Sequence, residues 1–264
     1  MPSYIKTIFT LTNNDHCDTI KLLDNREKNL NKGFYEDLDT NFAMACKLSE
    51  LNFSHDKLIE LLKTGNIPEK QIAAMQLDTI LNENEAKILI DNLTGCDGKI
   101  REAVALKINQ LLHQNKEIAK LFIFPEIFAD ATIDINGNIC RLVIDSVEVL
   151  SSNETFSKMY IKKILQFIKE CFTELDNFIF RDKKYVINKQ LFKLYWALEA
   201  LKVFVNNIDK NILKTILERA SLEKEYTIRE KVAQILVLIN SDDFLGLKSK
   251  LTIDENYYVR QALS

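Results

Sequence analysis

Glycine and proline are scarce in this chain, at six and three among 264 residues. Few positions therefore break a helix or force a tight turn. Long hydrophobic runs are missing as well. No apolar stretch approaches the ~20 residues that span a bilayer, so no membrane insertion is expected. Met1 to Leu11 carries one lysine and lacks a long apolar segment, so it does not read as a secretory signal, and the cytoplasm is the expected location. Basic charge is not in excess: the formal net charge is −3 and the sequence pI about 5.8. Nucleic-acid binders displace counterions with a basic field, so a nucleic-acid partner is not expected. The five cysteines (Cys17, Cys46, Cys96, Cys140 and Cys171) are scattered and form no C-x-x-C pair. With no secretory signal, reduced thiols are the expectation. His16, His55 and His113 form no ligand cluster with Cys17, so neither a metal nor another cofactor is expected. No serine or cysteine has a recognisable base, and Gly98 and Gly137 stand singly, so no catalytic group and no phosphate-cradling loop emerge.

What is present is repetition. Hydrophobic residues make up 47% of the chain, and they recur at i, i+3/i+4 and i+7 nearly throughout, the spacing of an all-α protein. Ile100-Arg101-Glu102-Ala103-Val104-Ala105 returns as Ile228-Arg229-Glu230-Lys231-Val232-Ala233, and in weaker form as Val259-Arg260-Gln261-Ala262-Leu263. Looser copies begin at Glu69, Ile139 and Ile187. The starts at 69, 100, 139, 187, 228 and 259 are separated by 31, 39, 48, 41 and 31 residues. A supersecondary unit recurring at such intervals predicts a solenoid, in which each unit buries its apolar face against its neighbours.

Two regions are expected. Residues 1–35 read as an N-terminal arm, with Asn13-Asn14-Asp15 capping a short helix through Leu23; residues 36–264 read as the repeat array. Within the array Ser54 caps a helix that stops at Gly65. A helix from about Asn115 is expected to be interrupted by Pro125. The turns Asp97-Gly98-Lys99-Ile100 and Asn136-Gly137-Asn138-Ile139 are alike, and each glycine there suits a positive φ while the Asp or Asn caps the next helix. Further helices are expected near 155–175, 185–205, 207–220, 226–240, 241–251 and 257–264, with a connector at 176–183.

The segments Asp97–Val104 and Thr227–Ala233 resemble the second-helix opening of HEAT repeats, the two-helix units of the armadillo-like superhelix. The resemblance covers residues from about 36 to 264. It implies a right-handed α-α superhelix of about five to six helix pairs, and a role as a scaffold or adaptor, the commonest in that family. HEAT units run near ~40 residues, so the 48-residue interval suggests an insertion and the short intervals abbreviated units.

Arg101, Arg229 and Arg260 each follow the register residue, and the ladder breaks at Cys140 and Asn188. They are read as a structural repeat ladder, each guanidinium pairing with an acid or helix end of a neighbouring unit, rather than as an anion-binding row. Residues 156–204 hold 11 of the 24 aromatics. With Ile187, Leu191, Leu194 and Leu198 as the core stripe of one helix there, Trp196 points well away from it, with Phe192 and Val203 nearby. Trp196, Phe192 and Val203 are candidate partner-binding residues. The other reading is that Trp196 is covered by the 155–183 region or the N-terminal arm.

The function expected from these observations is a non-catalytic scaffold that binds a protein partner along its concave face. Two other classes remain open. One is an enzyme or enzyme subunit on a HEAT scaffold, such as a bilin lyase or an alkylation-repair DNA glycosylase, although no residues match either functional motif. The other is a structural subunit of a larger assembly.

Overall fold

The computed structural model describes residues 32–177 and 184–263, with side chains from residue 40 to 177 and from 187 onward. The arm expected at the N-terminus lies almost wholly outside the described residues, as do His16, Cys17, Phe178 and Phe180. The described chain is helical, and no strand occurs among the described residues. No described helix is long and apolar enough to cross a membrane. The chain divides into two compact units, residues 1–150 and 151–264.

In the first unit the helices are α1 (Lys32–Ser49), α2 (His55–Thr64), α3 (Ile67–Gln76), α4 (Glu83–Ile90), α5 (Gly98–Gln114), α6 (Pro125–Thr132) and α7 (Gly137–Leu150). The starts at 69, 100 and 139 fall on α3, α5 and α7. These three pack in series, α3 on α5 and α5 on α7, while α2 and α6 pair with α3 and α7. Leu62, Leu77, Leu89, Val104, Phe128 and Val147 are fully buried between them. In the second unit follow α8 (Glu154–Asp176), α9 (Lys184–Leu201), α10 (Lys210–Ala220), α11 (Tyr226–Val237), α12 (Leu245–Thr252) and α13 (Tyr257–Gln261). The starts at 187, 228 and 259 fall on α9, α11 and α13, which again pack in series. Tyr160, Leu194, Leu198, Phe204, Val232 and Val259 form this core.

Caps explain most helix boundaries. Ser54 accepts from the Lys57 amide, and the Gly65 amide closes α2 on the Leu61 carbonyl. Asn66 and Glu69 make a reciprocal capping box at the start of α3. Asp97 accepts from the Lys99 and Ile100 amides, both at 2.9 Å. Two local expectations need correction. No described glycine has positive φ; Gly98 and Gly137 are simply the first helical residues after their caps. Pro125 does not end a helix but begins α6, because the first helical position needs no amide donor. Before it the chain forms a 3-10 stretch, Lys116–Leu121. Cys46, Cys140 and Cys171 are free, but Cys96 is disulfide-bonded, so the expectation of reduced thiols is corrected at that residue.

Candidate functional site

Each ladder arginine is the fourth residue of its helix, on α5, α11 and α13. Side chains on a helix lean toward its N-terminus, so these arginines reach back over the turn that precedes their own helix. The three do so identically. Arg101 Nη1 donates to the carbonyls of Gly95 (2.7 Å) and Cys96 (3.0 Å), six and five residues back. Arg229 Nη1 donates to Glu223 and Lys224, both at 2.9 Å. Arg260 Nη1 donates to Asp254 and Glu255. At the break in the ladder Cys140 donates its thiol to the Asp134 carbonyl, again six residues back.

A cation near a helix N-terminus is disfavoured by the macrodipole, and two of the three arginines meet a carboxylate that offsets this. Arg101 Nε and Nη2 hold Asp134 Oδ2 and Oδ1 at 2.7 and 3.3 Å, with both side chains fully buried. Arg229 holds Asp254 in the same fork, at 2.8 and 3.0 Å, with both side chains over nine-tenths buried. Both acids come from the same pentapeptide pattern, Thr132-Ile133-Asp134-Ile135-Asn136 and Thr252-Ile253-Asp254-Glu255-Asn256. In each, the aspartate Oδ1 accepts the amide two residues on at 2.8 Å. The asparagine then accepts the next amide but one at 2.9 Å. These paired turns present the carboxylate in one orientation. The pattern was legible as a recurrence of four residues in five, but it lies in turns, where a search for helical periodicity does not look.

The electrostatics of the two pairs differ. Burial pushes the Asp134 carboxyl above its ordinary range despite the opposing Arg101 charge. At Asp254 the hydrogen bonds from Arg229 outweigh burial and hold the carboxyl below that range.

The aromatic patch lies on α9. Trp196 and Phe192 are half-buried, as is Val203 in the 3-10 stretch Lys202–Asn207 that follows. Trp196 meets Tyr195 edge-on at 5.2 Å and Phe192 at 6.2 Å between ring centroids. Its indole Nε1 is buried, with no acceptor among the described residues. Beside it runs a polar bridge between α9 and α11. Lys231 is buried, ion-paired with Glu199, and lies 4.6 Å from the Tyr195 ring centroid. Lys202 also binds Glu199, at 2.8 Å. Burial would push the Glu199 carboxyl up, but hydrogen bonds from Lys202 and Lys231 prevail and hold it low. The structure thus sets Phe192 against Trp196, with Val203 in the stretch that follows the helix and the tryptophan neither fully exposed nor core.

Among the described residues no group of three or more His, Cys, Asp or Glu side chains is placed to hold a metal ion. No family model matches the chain, and no curated protein matches it. A solved structure of an engineered protein, the target of a structural genomics consortium, is similar at 14% identity, over 80% of this chain and 94% of its own, with a TM-score of 0.43. So distant a likeness carries nothing over.

Proposed function

We propose that this chain is a HEAT-like α-α superhelix that works as a non-catalytic scaffold in the cytoplasm, binding a protein partner with the patch Phe192, Trp196 and Val203. The observation that carries the reading is the state of Trp196. Trp196 is half-buried, while its buried Nε1–H has no acceptor among the described residues. An unsatisfied buried donor costs about 1–3 kcal/mol, and large aromatics in such surroundings are where interface energy concentrates. A partner that supplies a carbonyl as the rings repack would relieve that cost and cover the indole. The net charge of −3 favours a protein over a nucleic-acid partner.

The test is affinity capture with the full chain and its Trp196→Ala variant in parallel, with thermal melts of both. Partners recovered by the wild type and lost by a variant with a near-native melt support the reading. Equal recovery by both chains, or a variant that no longer folds, refutes it. In the isolated chain the sole tryptophan is expected to be moderately quenched by acrylamide, with a blue shift on partner binding.

A further inference from the structure

The bridge between α9 and α11 leaves the aromatic patch with an unmatched donor while its acceptors are engaged. Tyr195 and Phe192 stand at 86° and 69° to the Trp196 ring, and all three side chains are half-buried. Lys231 lies over Tyr195 and holds that ring from the α11 side. Glu199 takes Lys202 at 2.8 Å and pairs with Lys231. Gln234 Oε1 takes Lys231 at 3.1 Å and Lys202 at 3.4 Å, and Glu230 Oε1 takes Gln234 Nε2 at 3.2 Å. Backbone carbonyls along α9 are used within the helix. Against this set stands one donor without an acceptor among the described residues, Trp196 Nε1–H.

We propose that the patch takes a proline-rich segment of the partner in the polyproline II conformation, with one of its carbonyls accepting from Trp196 Nε1 and its pyrrolidine rings packed on Trp196, Tyr195 and Phe192. This rests on the patch being the partner site and names the chemistry of the occupant. Charge complementarity selects it. The unmatched group carries the positive end of a dipole, so the occupant must present a negative end there. An ordinary segment brings an N–H with each carbonyl, and an N–H enclosed beside engaged acceptors is left unsatisfied, at about 1–3 kcal/mol. An amide on a proline nitrogen brings its carbonyl with no N–H. The polyproline helix has no internal hydrogen bonds, so its carbonyls are open to outside donors, and it is extended before it binds, so little ordering entropy is lost. Aromatic-lined surfaces are where such segments dock. An acidic segment fits less well, because Lys202 and Lys231 are already held by Glu199. Since Nε1 is enclosed in the isolated chain, the indole turns about its side-chain bonds as the segment docks, and its surroundings report the event.

The experiment titrates the full chain with octaproline, blocked at both ends, and follows the emission of the sole tryptophan. Saturable binding in the millimolar range with a blue shift is expected, and none with a glycine–serine peptide of equal length. In the wild type the single indole N–H resonance, read by nitrogen-correlated NMR, should move downfield as Nε1–H gains its acceptor. Trp196→Phe keeps a ring and deletes the donor; followed by calorimetry, it should bind octaproline about 10-fold more weakly. Tyr195→Ala should weaken binding by a similar factor. No saturable change with octaproline, an equal response to the glycine–serine peptide, or an indole resonance that stays in place at saturation overturns the proposal, and the NMR measurement needs no variant to fold. Trp196-dependent capture of a partner without octaproline binding removes the proline assignment and keeps the patch, whereas capture indifferent to Trp196 removes both.

Discussion

Replacing Asp134 by asparagine removes one charge and one acceptor from the most enclosed polar contact in the first unit. Oδ2 takes Arg101 Nε at 2.7 Å, and Oδ1 takes both Arg101 Nη2 at 3.3 Å and the Asn136 amide at 2.8 Å. Whichever way an asparagine amide turns, its NH2 faces at least one guanidinium N–H, donor against donor. Arg101 keeps the Gly95 and Cys96 carbonyls but carries an uncompensated charge at zero exposure. Breaking a buried pair from one side costs about 3–5 kcal/mol. At about 2–4 °C per kcal/mol, that is a fall in melting temperature of roughly 6–20 °C. Urea unfolding followed by circular dichroism at 222 nm measures it, with Trp196 fluorescence recorded alongside. Trp196 belongs to the second unit, so it is a check on where the loss falls. Removing both charges together, as Arg101→Met with Asp134→Leu, should recover most of the stability, because no orphan ion is left. A single Asp134→Asn variant within about 1 kcal/mol of wild type would refute the reasoning, since it would mean that the buried guanidinium finds another solvating group.

The Arg229–Asp254 pair should make stability depend on pH. Unfolded aspartate titrates near ~3.9. Asp254 lies below that value in the folded chain, so its contribution is present above about pH 4 and lost as pH falls through the folded value; Asp254→Asn should flatten the acid limb of a stability-against-pH curve. Val232 is fully buried on α11. Val232→Asp should lower the unfolding free energy by about 4 kcal/mol or more in a urea titration, and an unchanged midpoint would show that the repeat register is wrong. A Cβ on Gly65 would lie 2.5 Å from the Leu61 carbonyl oxygen and 2.9 Å from Glu69 Cβ, so Gly65→Ala should cost about 1–3 kcal/mol. Gly246 in α12 has nothing within 4 Å of such a Cβ, and Gly246→Ala should raise stability by about 0.5–1 kcal/mol in the same titration.

The amino-acid sequence alone determined that this protein is helical and where several of its helices begin. Capping residues and apolar spacing act over one or two turns, so Ser54, Asp97 and the starts at 100, 139 and 228 could be read locally. The repeat of Ile-Arg-Glu also marked the arginines, but not what they hold. Arg101 and Asp134 are 33 residues apart and Arg229 and Asp254 are 25 apart, and no local rule links such positions. Only the packing of α5 on α7 and of α11 on α13 sets an arginine on one helix against the turn before the next. The same holds for Trp196. Helical geometry turned it away from the core stripe and set Phe192 and Tyr195 beside it, but the Lys231–Glu199 bridge against Tyr195 comes from α11, which only the tertiary structure brings to α9. Periodicity reports which way a side chain leaves its helix; what it meets there is decided by elements that periodicity does not see.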